Sequence, residues 1–149
     1  MKGVNQVRIG TSHSLVLLFS ALAFIAFAIS CSDISKNKAK SPIAEGEEWF
    51  KSYCVMCHGE NGDGQGNMAD KLQAPPSDLR LIAQRRNGVF PDEEIAKIIA
   101  GVENVPGHNE TGEMPAWWET FKRSENITDD KVLEEKIDHI VAYLKSIQQ

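Results

Sequence analysis

The hydrophobic pattern is most regular at the C-terminal end of the chain. Apolar residues recur there every three or four positions, which is the spacing of one helix face: Leu133, Ile137, Ile140, Val141, Leu144 and Ile147. Thr128 is placed to cap this helix, and Asp129 and Asp130 fall in its first turn, where carboxylates favour the positive end of the helix dipole. The pattern predicts a long amphipathic C-terminal helix.

Two earlier segments combine the same period with start and stop signals. Ser41 can cap the first, which has Pro42 at its first position, and Pro91 and three acidic residues open the second, which Gly101 ends. Their apolar positions are Ile43, Trp49, Phe50 and Tyr53 in the first and Ile95, Ile98 and Ile99 in the second. A shorter helix is predicted over residues 79–86. No alternating run is long enough to predict a strand, so the predicted fold class is all-α.

The first thirty residues have the layout of a secretory signal peptide. Lys2 and Arg8 precede an uncharged apolar run over residues 15–29, and Ser30 and Cys31 follow it. An uncleaved anchor helix is the alternative, although a membrane span needs roughly 20 apolar residues and this run is shorter. Either interpretation places the rest of the chain outside the cytoplasm.

The four residues "AISC" that end at Cys31 resemble the lipobox of bacterial lipoproteins, in which the cysteine is lipidated and becomes the N-terminus. Ala28 stands where that family usually has leucine, and an unmodified thiol is the alternative for Cys31. The polar residues 32–41 lack aromatics and periodicity, which is typical of a tether. The predicted organisation is therefore a signal peptide at 1–30, a lipidated N-terminus and tether at 31–41, and a folded domain at 42–149.

The net charge of the chain after residue 30 argues against one class of partner. Removal of residues 1–30 takes away two of the 16 lysines and arginines and no acidic residue, so the remainder carries 14 basic against 21 acidic side chains, a formal −7. Nucleic acid is an unsuitable partner, because its phosphates require a basic face.

The stretch "CVMCH" holds the residues that most clearly indicate a cofactor site. Cys54 and Cys57 are three positions apart and His58 follows directly, which is the C-x-x-C-H pattern of covalent haem c attachment. Two thiols one helical turn apart can reach the two vinyl groups of one porphyrin, while the imidazole points at the iron. The motif predicts one haem c, bound through both cysteines, with His58 as an iron ligand.

Three other uses of the cysteines are weaker. A thioredoxin-like dithiol belongs near a βαβ pattern, which the sequence lacks, and structural zinc needs a fourth ligand beside these three residues. A disulfide would close a very short loop and gain little stability. Only haem attachment uses all three side chains.

The chain from Gly46 to Ile147 resembles the class I c-type cytochromes. The resemblance rests on Gly46, Phe50 and the C-x-x-C-H motif, on "GENGDGQG", "APPSDL" and "GEMPAW", and on Ile140, Tyr143 and Leu144. It implies a cytochrome c fold of about four to five helices around one haem. It also implies that the N- and C-terminal helices cross, with Gly46 and Phe50 against Ile140 and Tyr143.

Met114 occupies the place that this family gives its axial methionine. His108 is the chemical competitor, since imidazole also binds haem iron, whereas Met56 lies between the cysteines and Met68 has no equivalent role in the family. His139 is expected to be a surface residue. The predicted iron ligands are therefore His58 and Met114.

The sequence leaves three structural questions near the motifs undecided. Pro75 or Pro76 is expected to offer the carbonyl that orients the His58 ring. One of Trp117 and Trp118 is expected beside the haem. Residues 119–136 exceed the length of a simple link, and they are expected to form an extended start to the final helix rather than a partner surface.

Together these features predict a periplasmic cytochrome that is tethered to the membrane by its N-terminal lipid. It would carry single electrons between transient redox protein partners, with no small-molecule substrate and no enzyme activity. The alternative is a haem-bearing electron-transfer subunit of a larger membrane or periplasmic oxidoreductase complex. A sensor or catalytic haem would require that Met114 does not bind the iron.

Overall fold

A computed structural model of the protein describes residues 39–103 and 112–149. Five α-helices form in this part of the chain: α1 (Pro42–Tyr53), α2 (Val55–His58), α3 (Asp92–Ala100), α4 (Trp117–Ser124) and α5 (Asp130–Ser146). Three short 3-10 turns lie between α2 and α3, at Ala69–Lys71, Leu79–Leu81 and Gln84–Arg86. The described residues contain no strand, so the all-α prediction is confirmed. The predicted signal peptide, Cys31 and His108 lie outside the described residues.

The predicted ends of α1 and α3 agree with the structure. Ser41 caps α1 by accepting a hydrogen bond from the Ala44 amide at 3.3 Å, and Pro42 is the first helical residue. Gly101 ends α3 in the left-handed conformation, with φ of 87°, which glycine adopts without strain. These two helices follow from local sequence chemistry.

Two local predictions are wrong. The cap of α5 is Asp129 rather than Thr128, because the Asp129 carboxylate accepts the Lys131 amide at 3.0 Å and the helix therefore starts one residue later. Residues 79–86 form two 3-10 turns instead of one helix. Asn87 follows them with φ of 57°, so the chain turns away before a longer helix can form.

The segment before α5 is a separate helix, not the extended start that the sequence suggested. α4 ends at Ser124, and Asn126 has φ of 53°, which breaks the helical path. The break has a packing reason. Phe121 in α4 and Leu133 in α5 are both fully buried in one core, and the break lets each helix direct its own apolar side chains into that core.

The main packing contact is the crossing of α1 and α5. The Phe50 side chain is completely buried, and its ring centroid lies 5.1 Å from that of Tyr143. At Gly46 the two backbones touch: a Cβ atom added there would lie 1.8 Å from the His139 carbonyl oxygen and 3.0 Å from the Tyr143 Cβ. The predicted helix crossing is therefore confirmed in its residues.

His139 is not the surface residue that the sequence suggested. Its side chain is only 15% exposed, and its Nδ1 lies 3.0 Å from the Glu45 carboxylate. The reason is the same crossing, since α1 covers this part of α5. No helix among the described residues is long and apolar enough to cross a membrane.

Replacing Gly46 with alanine tests the closeness of the crossing. Helix propensity alone would make Gly46→Ala stabilising by about 1 kcal/mol. We expect the opposite, a loss of about 1–3 kcal/mol or more, because the added methyl group must displace a backbone carbonyl of α5. Denaturant unfolding of the haem-loaded protein measures the change. Ser52→Ala, at an exposed position of the same helix, is the control and should be nearly neutral; equal stability of both variants would contradict the close contact.

Candidate haem site

A cavity of about 460 Å³ lies in the middle of the domain, between the α1–α5 crossing, α3 and the segment around Met114. This volume is within the range of ordinary cofactor pockets. Its walls are mainly apolar, with Phe50, Leu72, Leu79, Ile82, Ile95, Ile98, Ile99, Ile140 and Leu144 among the lining residues. A cavity of this kind suits the flat, apolar face of a porphyrin.

The C-x-x-C-H motif forms the turn from α1 into α2. The Cys57 and His58 amides donate to the Cys54 carbonyl at 3.2 and 2.9 Å, which is one tight helical turn. Cys54, Cys57 and His58 all line the cavity. The spacing in the sequence therefore brings two thiols and one imidazole to the same wall.

The surroundings of Cys54 favour a neutral sulfur group over a thiolate. Both cysteines of the motif are free thiols in the structure, and burial, with a smaller contribution from Cys57, raises the pKa of the Cys54 thiol to about 12. A neutral thioether suits such a buried position better than a thiolate. No group of three or more His, Cys, Asp and Glu side chains in residues 39–103 and 112–149 could hold a metal ion, and zinc would need such a group.

The glycine-rich loop after His58 packs on the backbone of α2. The Gly64 amide donates to the His58 carbonyl at 2.8 Å, and the Gly66 amide donates to the Cys57 carbonyl at 3.2 Å. An added Cβ would lie 2.4 Å from the Pro76 carbonyl oxygen at Gly64, and 2.4 Å from the Met56 carbonyl oxygen at Gly66. These glycines allow three backbone segments to meet beside the motif.

The structure distinguishes the two tryptophans but not the two prolines. Trp117 lines the cavity, whereas Trp118 packs against the core without lining it. Pro75 and Pro76 both line the cavity. Which proline carbonyl orients the His58 ring stays a prediction.

Met114 is the described methionine that the fold places at the cavity. It lines the cavity and packs against the core, while Met56 is 62% exposed, and neither Met56 nor Met68 lines the cavity. The neighbouring Glu113 carboxylate accepts the Gln73 amide at 2.8 Å, which ties the Met114 segment to the proline-bearing loop. His58 and Met114 are thus brought to one cavity from segments far apart in the chain.

Sequence reasoning missed two arginines at this site. Arg85 and Arg86 both line the cavity. Arg85 donates to the Asp78 carbonyl at 2.9 Å, and Arg86 pairs with Glu94. Two fixed cations beside an apolar cavity can offset the two carboxylates that a haem carries. A pair of arginines in a polar turn gives no signal of this in the sequence.

The comparison with protein families agrees with the site. The family model described as Cytochrome c matches residues 43–148. The chain therefore belongs to the cytochrome c family, and the predicted fold is confirmed. Membership implies a covalently bound haem c and a role in electron transfer. No curated protein and no solved structure matches the chain significantly.

Ligation by Met114 can be tested by removing each candidate in turn. Met114→Ala should abolish the weak far-red band of an iron–methionine bond in the ferric protein and open the ferrous haem to carbon monoxide. His108→Ala and the control Met68→Ala should keep the wild-type spectrum, and the reduced wild type should bind carbon monoxide poorly near neutral pH. Loss of the band in His108→Ala but not in Met114→Ala would make the axial assignment wrong.

Proposed function

We propose that the protein is a monohaem c-type cytochrome that carries single electrons, with haem c attached to Cys54 and Cys57 and the iron bound by His58 and Met114. The observation that carries this proposal is that all four side chains line one apolar cavity. The cytochrome c family match over residues 43–148 supports it independently.

The bound haem would supply a one-electron ferric–ferrous couple. The residues of the chain would restrict the haem to electron exchange. Cys54 and Cys57 would hold the macrocycle through thioether bonds at the turn from α1 into α2, and His58 and Met114 would both bind the iron, which would leave it no site for a substrate. The apolar walls exclude water, and the close backbone contacts around α2 limit rearrangement when the charge changes. Such a site suits electron transfer better than haem catalysis.

The location and partners belong to the same proposal. We infer export by residues 1–30 and lipidation of Cys31, followed by a tether of about ten residues whose flexible reach is roughly 17 Å. The domain would then stay at the periplasmic side of a bacterial membrane and meet redox proteins transiently. The alternative is permanent attachment to a larger oxidoreductase complex. Purification in mild detergent separates these two, because a subunit would copurify with its complex.

Covalent attachment predicts that haem stays on the polypeptide after denaturation and acid-acetone extraction. The double variant Cys54→Ala, Cys57→Ala should lose the haem and be largely unfolded, because the cavity would lack the apolar group that fills the core. Haem staining of a denaturing gel and circular dichroism measure both effects. Complete extraction of haem from the wild type would contradict the proposal.

Lipidation predicts a modified N-terminus at Cys31. Mass spectrometry of the native protein should find a diacylated or triacylated Cys31, because one acyl chain alone gives only marginal membrane binding. Cys31→Ser should release soluble, haem-loaded protein if the exported chain is still processed or proteolysed. An unmodified N-terminus at another residue would refute the lipid anchor without affecting the haem assignment.

A further inference from the structure

Lys136 is a buried lysine in the middle of α5. Its side chain is only 4% exposed, although lysine is almost never buried without a partner. The Nζ atom lies 3.6 Å from the ring centroid of Trp49, 4.1 Å from that of Phe121 and 5.3 Å from that of Tyr53. The ammonium group is therefore surrounded by aromatic rings.

Glu125 supplies the opposite charge. Its Oε1 accepts a hydrogen bond from Lys136 Nζ and another from the Tyr53 hydroxyl at 2.5 Å. We call Trp49, Tyr53, Phe121, Glu125 and Lys136 the lysine cage. Its members come from α1, α4, the residue after α4, and α5.

Stability alone does not explain the lysine cage. The Lys136 ammonium group loses its hydration on folding, and replacing an ion pair in such a position by apolar side chains of similar volume is often neutral or stabilising. The cation–π contacts with Trp49, Phe121 and Tyr53 offset part of that cost. The position of the lysine cage in the fold points to another use.

The lysine cage shares a wall with the haem cavity. Tyr53 belongs to both, and Trp117, which also lines the cavity, packs on Tyr53 at 5.5 Å and on Phe121 at 5.2 Å between ring centroids. Aromatic side chains thus lead from the Lys136 ammonium group to the wall of the cavity. In such a medium a charge acts over a longer distance than it does at the surface.

The pKa directions of Glu125 and Tyr53 indicate the charge that each carries. Burial alone would raise the pKa of Glu125, yet the hydrogen bonds from Lys136 and Tyr53 outweigh it and hold that pKa below its usual value. The hydrogen bond to Glu125, together with burial, raises the pKa of Tyr53. Glu125 is therefore ionised while Tyr53 keeps its proton.

We propose that the lysine cage tunes the reduction potential of the haem through the charges of the buried Lys136 and the half-buried Glu125. This inference rests on the proposed function. Uptake of one electron from an external donor turns ferric into ferrous iron and lowers the charge in the cavity by one unit, with no proton transfer required. A fixed cation beside the cavity favours the reduced form, and a fixed anion favours the oxidised form. Lys136 and Glu125 thus act in opposite directions.

The test is a spectroelectrochemical titration of the haem-loaded variants, all at the same near-neutral pH and ionic strength. Lys136→Met should lower the potential, because it removes the cation and leaves Glu125 uncompensated. Glu125→Gln, which keeps the size of the side chain, should raise the potential. The double variant should return towards the wild-type value, and Lys136→Arg, which keeps the charge, should stay close to it.

Two exposed residues of α5 are matched controls. Lys131→Met and Glu134→Gln make the same charge changes in contact with water, where screening is strong, and should shift the potential much less. If Lys136→Met fails to fold, Glu125→Gln still decides, because only the charge mechanism requires its potential to rise. Shifts of the same sign in both single variants, or shifts no larger than those of the controls, would overturn the inference. The proposed function would stand in that case as long as the wild type retains covalent haem and its far-red band.

Discussion

The structure depends on the close crossing of α1 and α5. Gly46 brings the α1 backbone against the His139 carbonyl, and Phe50 and Tyr143 then pack ring to ring in the core. Because α1 leads directly into the C-x-x-C-H turn, this contact also fixes where both thiols and the imidazole stand. The same contact therefore determines the core and the position of the site.

Helix α3 supplies Ile95, Ile98 and Ile99 to the cavity, and much of the remaining wall is formed by segments with little helix. The glycine loop lies on the backbone of α2, and the Pro76 carbonyl reaches Gly64 at a distance that excludes a side chain there. On the other side, the hydrogen bond from Gln73 to Glu113 holds the Met114 segment to the proline-bearing loop. Irregular backbone around a large apolar cavity gains its order from these few contacts, which explains why a bound apolar group should matter so much for folding.

Local sequence patterns predicted α1, α3 and most of α5, and the spacing of the C-x-x-C-H motif predicted that its three residues would share one helical turn. Caps, periodicity and motif spacing all depend on neighbouring residues. Local sequence patterns gave wrong predictions where contacts between distant segments determine the structure. The break at Asn126 and the burial of His139 arise from packing between helices, which no local pattern contains. Lys136 did leave a signal: it lies three positions after Leu133 and four before Ile140, on the apolar face of α5. A charged residue in an otherwise apolar stripe was a reason to expect a buried partner.

That position also gives a physical reason for the segment between Trp117 and α5. Lys136 lies on the apolar face of α5, so its burial requires another segment that supplies a carboxylate for the ammonium group and apolar side chains that pack around it. α4 brings the apolar cover with Phe121, and Glu125, the residue after its end, provides the carboxylate. Trp117, at the other end of the same helix, faces the cavity. Helix α4 therefore contacts the cavity at one end and the Lys136–Glu125 ion pair at the other. Because aromatic side chains connect the two, we expect the charge of the ion pair to influence the charge of a group bound in the cavity.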